Sequence, residues 1–260
     1  MEPRYHIPYF FTLLFIPVAA GLRLWSLLAA VDEQGLPAMH LSMYALIAAA
    51  AVFLLAAAVF SFRSPGRSGQ RSVIRYGPSG FVCALAAACL ILLGAVLEFS
   101  EELAAGPGFF TAIVCLLGLL GGLCCIVTAL ARRSDSRRIP GAEMAPVLYL
   151  LVKLILDFKG WSTDPIILDY CVRLFAMIFA LLAFLRGAGF VLDAGRPRRT
   201  LFFAMGAVFF CAAALMDGIL TLSLASIATF LGILLWQLPL IWDLLEPHAP
   251  DPEAPAEDEV

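Results

Sequence analysis

The sequence predicts an all-α, polytopic membrane bundle of eight helices, and three observations carry that prediction. Of 260 residues, 62% are hydrophobic and 14% charged, with a mean hydropathy of +0.93. A soluble domain of this length needs a larger polar share, whereas apolar stretches of about 20 residues mark membrane spans. Such stretches recur along the whole chain, and the charges between them are sorted by sign.

The spans are read at 9–30, 40–62, 79–99, 109–131, 143–158, 166–186, 200–221 and 225–245. The first continues past Arg23 and Trp25 to Ala30, too long and wrongly flanked for a cleaved leader. The second is alanine-rich (Ala48 to Ala51, Ala56 to Ala58), and the fourth carries Gly118 and Gly122 as a GxxxG, patterns that suit close helix packing. The fifth, "EMAPVLYLLVKLILDF", is short and holds Lys153, but a basic loop follows both the fourth and the sixth spans, so the chain must cross between them. The sixth opens at Asp164-Pro165, a capping residue followed by a proline suited to the first helical position. In the last span, Pro239 beside Trp236 and Gln237 is expected to kink the helix. Trp25, Trp161 and Trp242 read as interfacial anchors.

The connections alternate. Arg63, Arg67, Arg71 and Arg75 follow span two, Arg132, Arg133, Arg137 and Arg138 follow span four, and Arg186, Arg196, Arg198 and Arg199 follow span six. The other loops hold Asp32 and Glu33, then Glu101 and Glu102, then a segment whose sole base is Lys159. The positive-inside rule puts both termini and the arginine loops in the cytoplasm. Residues 246–260 are acidic and rich in Pro and Ala, the composition of a disordered tail.

A basic linker at 134–142 divides residues 1–133 from 143–245, with four spans in each half. "IPVAAGLRLW" in span one and "APVLYLLVKL" in span five each place a lone base after Pro-Val, and Glu98 and Asp217 take matching places in spans three and seven. A tandem parallel duplication would produce this, and so would chance likeness among apolar helices.

Seven ionisable residues lie within the spans or at their outer ends: Arg23, Glu98, Lys153, Asp157, Asp169, Arg173 and Asp217. All fall in the extracytoplasmic half under this topology. A charge at the centre of an isolated span costs about 3 kcal/mol on insertion scales, so these side chains are expected to turn inward. Asp169 and Arg173 share a helix face four residues apart, with Met177 and Ala180 further along it. Such a set serves either as a substrate, ion or proton pathway or as salt bridges that hold helix register.

Other chemistries find no support. The seven cysteines sit in apolar segments without a CxxC and read as small hydrophobes. His6, His40 and His248 lie at or outside span ends, which leaves no haem or zinc ligand set, and no cofactor is implied. No P-loop, GxGxxG or GxSxG occurs, and nothing points to nucleic acid. Asparagine is absent, so there is no N-glycosylation acceptor. An intramembrane aspartyl pair, Asp169 with Asp217, is the one enzymatic arrangement left.

The stretch "WSTDPIILDYCVRLFAMIFALLAFLRGAGF", within residues 146–190, resembles a segment of multipass integral membrane proteins of Firmicutes-type bacteria. That resemblance implies a bacterial inner membrane and no particular activity.

The leading expectation is a transporter-like or permease-like protein with a charged extracytoplasmic site for a small molecule or ion. The alternatives are a non-catalytic membrane sensor or assembly partner, docking a protein at its cytoplasmic loops, and an intramembrane aspartyl hydrolase. The bilayer itself is the partner common to all three. Labelling of single cysteines from outside the cell is expected to reach residue 161 and not residue 135, and the reverse pattern would invert the topology.

Overall fold

The structure, a computed structural model, describes residues 6–29, 41–64, 76–106, 108–134, 140–161, 167–192 and 195–245. They form helices α1 (Ile7–Ala29), α2 (Leu41–Arg63), α3 (Pro78–Ala105), α4 (Phe109–Ser134), α5 (Pro140–Trp161), α6 (Ile167–Ala188), α7 (Pro197–Leu220) and α8 (Leu224–Leu245). There is no strand among the described residues. Seven of the helices are long and apolar enough to cross a membrane, and α5 is the exception. Glu143, Lys153, Asp157 and Lys159 lower its hydropathy, not its length. Its 22 residues span about 33 Å at 1.5 Å per residue, comparable to a hydrocarbon core of about 30 Å.

Helices α3 to α8 each pack on the next, and α8 returns to α3, which closes a ring of six. Helices α1 and α2 lie outside the ring against α7. The apolar windows of α7 and α8 are 67% buried and those of α1 and α2 only 22%, so the ring's α7–α8 edge is the centre of the molecule.

Small residues explain why α7 takes that place. Ala204, Gly206, Ala207, Ala212, Ala213 and Ala214 are all buried, on every side of the helix. At Gly206 the ring of Phe179 from α6 occupies the room a side chain would need. On the opposite flank, Phe53 of α2 is unexposed and stacks on Phe209 of α7 at 4.8 Å and on Phe11 of α1 at 5.5 Å. This aromatic stack ties the outer two helices to the ring.

The α3–α8 contact is set by glycine on both helices. A methyl group at Gly94 would stand 3.0 Å from the Thr229 backbone nitrogen, and one at Gly232 would stand 2.9 Å from that of Ile91. Gly80 meets Pro239 at the other end, which makes the pair antiparallel. Gly118 and Gly122 act as expected: a methyl group on either would stand 2.9 Å from Tyr149 of α5 or 2.8 Å from Leu92 of α3, respectively. Helix α8 runs on through Pro239. Because proline has no N–H to offer the Leu235 carbonyl, that oxygen is open to a donor, and the Cys83 thiol donates to it at 3.4 Å.

Two expectations are corrected. The alanines of span two do not line a tight interface: Ala48 and Ala51 are exposed on α2, and Ala57 alone among them is fully buried. The alanine stripe that does pack closely is on α7. Span boundaries also widen, with α3 reaching Ala105 and α5 running from Pro140 to Trp161. The helix start at Asp164-Pro165 and the tail from residue 246 lie outside the described residues. Nor does the packing establish a duplication, since α6 packs on both α5 and α7 whereas α2 packs on α1 and on α7 rather than on α3.

Replacing Gly94 with Ala is expected to cost about 1–3 kcal/mol by forcing α3 from α8. Gly21→Ala, where no atom lies within 4 Å, is expected to be neutral or better. Thermal unfolding in detergent followed by tryptophan fluorescence separates them, and equal effects would contradict the close approach.

Candidate functional site

The site begins with the α7–α8 turn. Leu222 adopts a left-handed conformation at φ 54, the Ser223 N–H donates to the Gly218 carbonyl, and the Leu222 N–H donates to that of Ile219. Together these bonds close α7 with a Schellman turn. Ser223 then caps α8, its Oγ accepting from the Ser226 N–H at 3.3 Å. The turn is therefore only three residues long, and it delivers Ser223, Ser226 and the positive end of the α8 dipole to the bundle's end.

Around that end, among α3, α5, α6 and α8, lies a pocket of about 180 Å³. Its mouth carries Glu98 and Glu101 from α3, Lys153 and Asp157 from α5, Arg173 from α6, the capping Ser223, and Ser226 of α8. One helical turn further in, Leu150, Met177 and Ile233 form an apolar floor. All three floor residues are 2% exposed.

Lys153 is held between two carboxylates. It forms an ion pair with Glu98 across the bundle and another with Asp157 one turn along α5 at 3.5 Å. Tyr149 donates its hydroxyl to the second oxygen of Glu98 at 3.3 Å. On the other side, Arg173 Nη2 donates to Ser226 Oγ at 3.1 Å, and its guanidinium lies over the Phe230 ring at 5.9 Å. Ser223 Oγ in turn donates to Ser226 Oγ at 3.2 Å.

A separate pair sits at the same end, outside the ring. Arg23 Nε of α1 donates to Asp217 Oδ1 of α7 at 2.7 Å, with 1% and 8% of the two residues exposed. The pair joins an outer helix to the central one, and it draws Asp217 away from the pocket's mouth. Of the seven predicted residues, then, Glu98, Lys153, Asp157 and Arg173 converge, while Arg23 and Asp217 make a pair of their own. Asp169 falls in the first turn of α6, and its side chain lies outside the described residues, as does that of Trp161. The expected Asp169–Arg173 and Asp169–Asp217 pairings fall there too.

Sequence reasoning misses a second charged cluster, at the opposite end of the ring. The arginine pattern assigns Arg132 to a loop, as a topology signal alone. It lies instead within the last turns of α4, 3% exposed, and forks onto Glu143 of α5 at 2.9 and 3.3 Å. Its remaining terminal nitrogen donates to the Tyr76 hydroxyl at 2.6 Å. Burial pushes the Tyr76 phenol up to about 12, so it stays protonated. Trp236 of α8 lies against the guanidinium at 5.8 Å and stacks on Phe184 of α6. The one available signal is Glu143, an acid opening a span on the arginine-rich side. Removing it would strand a buried guanidinium, at a cost of about 3–5 kcal/mol. The free volume beside this cluster is about 10 Å³, room for one water at most.

Among the described residues no group of three or more His, Cys, Asp or Glu side chains is placed to hold a metal ion. Comparison with protein-family models, with curated proteins and with solved structures yields no match.

Proposed function

We propose that the chain is a small permease-like protein of a bacterial inner membrane, with eight crossings, cytoplasmic termini and a solute site in its extracytoplasmic half. The observation that carries this reading is the pocket of about 180 Å³, which combines five ionisable side chains at its mouth with an apolar floor midway into a helical ring. A purely structural salt-bridge set has no need of open volume between its members. Intramembrane charges that face a cavity mark solute or ion paths more often than lipid-facing surface.

The ring also has the parts of a two-sided device. At the far end the Arg132–Glu143 fork, with Tyr76 and Trp236 against it, leaves a free volume of only about 10 Å³. A permease exchanges one closed end for the other. A membrane sensor, the alternative, would keep the far end shut and use the pocket as a receptor.

Met177→Cys in a cysteine-free background tests the choice, because Met177 is on the pocket floor. Alternating access predicts modification by a membrane-impermeant thiol reagent in right-side-out vesicles and also in inverted ones. Modification from the pocket's side alone would favour the sensor and overturn the permease reading.

A further inference from the structure

One buried polar side chain belongs to neither end of the ring. Gln237 is wholly unexposed, and neither its Nε2 nor its Oε1 meets a hydrogen-bond partner among the described residues. Along α8, Phe230, Ile233, Gln237 and Leu240 recur at three- and four-residue spacing and so share one face. Phe230 and Ile233 line the pocket, and Leu240 lines the water-sized space beside the Arg132–Glu143 fork. At 1.5 Å per residue, Gln237 stands about 6 Å beyond Ile233 and about 4.5 Å short of Leu240. It therefore lies on the line that joins the two ends.

Packing does not explain an amide there. On α6, Met177 of the floor and Ala183 of the far space are separated by Ala180, which is unexposed and has no polar side-chain atom. A buried amide without partners is destabilising, and a leucine or methionine would fill a similar volume without that cost. What the amide offers is two N–H donors and a carbonyl acceptor, a matched set for a molecule that passes it.

The surroundings define that molecule. An ion at this depth would exchange its hydration for one neutral amide among hydrocarbon side chains, which is prohibitive. A small uncharged molecule with hydroxyl or amide groups needs only donors and acceptors in kind. The mouth makes no contrary demand, since Lys153 is held by Glu98 and Asp157, and Glu101 is exposed to solvent. The pocket of about 180 Å³ limits the molecule to roughly ten heavy atoms, because a cavity of about 150 Å³ holds one benzene.

We propose that Gln237 is a solute-contacting residue midway along the path, and that the solute is a small uncharged molecule of the polyol or urea kind. This rests on the permease reading and adds both the contact and the chemical class.

The test uses the full chain in proteoliposomes, with solute entry followed by stopped-flow light scattering. Erythritol and urea are the probes, glycine and potassium gluconate the charged controls, and protein-free vesicles the baseline. At least one probe is expected to enter faster than baseline, and both controls to stay at it. Gln237→Leu is expected to cut probe entry about tenfold, the scale of one lost hydrogen bond, and Gln237→Asn to recover part of the loss. A structural role would be read in the unfolding temperature, which is expected not to fall in Gln237→Leu because no internal hydrogen bond is broken. Gln237→Met, unbranched like glutamine, serves if the leucine packs poorly. Undiminished entry in both Gln237→Leu and Gln237→Met would overturn the role of Gln237, as would a lower unfolding temperature in both. Faster entry of glycine or gluconate than of either probe would overturn the solute class. No entry of either probe, with Met177→Cys labelled from both faces, would overturn this inference and leave the permease reading standing.

Discussion

Arg23 on Asp217, 2.7 Å apart and almost wholly out of contact with solvent, states the constraint on which this molecule is built. A charge on a helix of this hydropathy has nowhere inexpensive to go except onto an opposite charge from another helix. The pair joins α1 to α7, and with the phenylalanine stack of Phe11, Phe53 and Phe209 it fixes how the outer helices meet the ring. Lys153 does the same for α5 and α3, and Arg132 for α4 and α5. Glycine and alanine set where α3 meets α8 and how closely α7 is surrounded, and the ion pairs add direction between α1 and α7, α3 and α5, and α4 and α5.

The two ends of the ring satisfy this constraint in different ways. At one end Arg132 meets Glu143 and Tyr76 in a fork with planar rings against it, and the neighbouring space is water-sized. At the other, the charges are more numerous, partly exposed and arranged around open volume. Pairing against planar rings leaves a water-sized space at one end, and pairing around open volume leaves a pocket of about 180 Å³ at the other.

The all-α fold and its eight helices were legible in the sequence because they follow from a local signal, apolar run length. The roles of Gly118 and Gly122 were legible for the same reason, since GxxxG is a pattern within one helix. Partner choice was not. Glu98 and Asp217 hold matching positions in their spans, yet one joins the pocket and the other binds Arg23 beyond the ring, because α3 faces α5 across the ring while α7 faces α1. Arg132 looked like one of twelve loop arginines, and its burial depends on where α5 places Glu143. The alanines of α2 and α7 have similar composition and opposite surroundings, because burial belongs to the ring's order rather than to any one segment.

If intramembrane charges turn inward and match across helices, a double-mutant cycle on Arg23 and Asp217 will show it. Unfolding of wild type, Arg23→Met, Asp217→Leu and the double variant would be measured in the same detergent. Each single change is expected to cost about 3–5 kcal/mol by breaking the buried pair, while the double variant lies close to wild type. Additive losses in the double variant would contradict it, because each side chain would then be stabilised by something other than its partner.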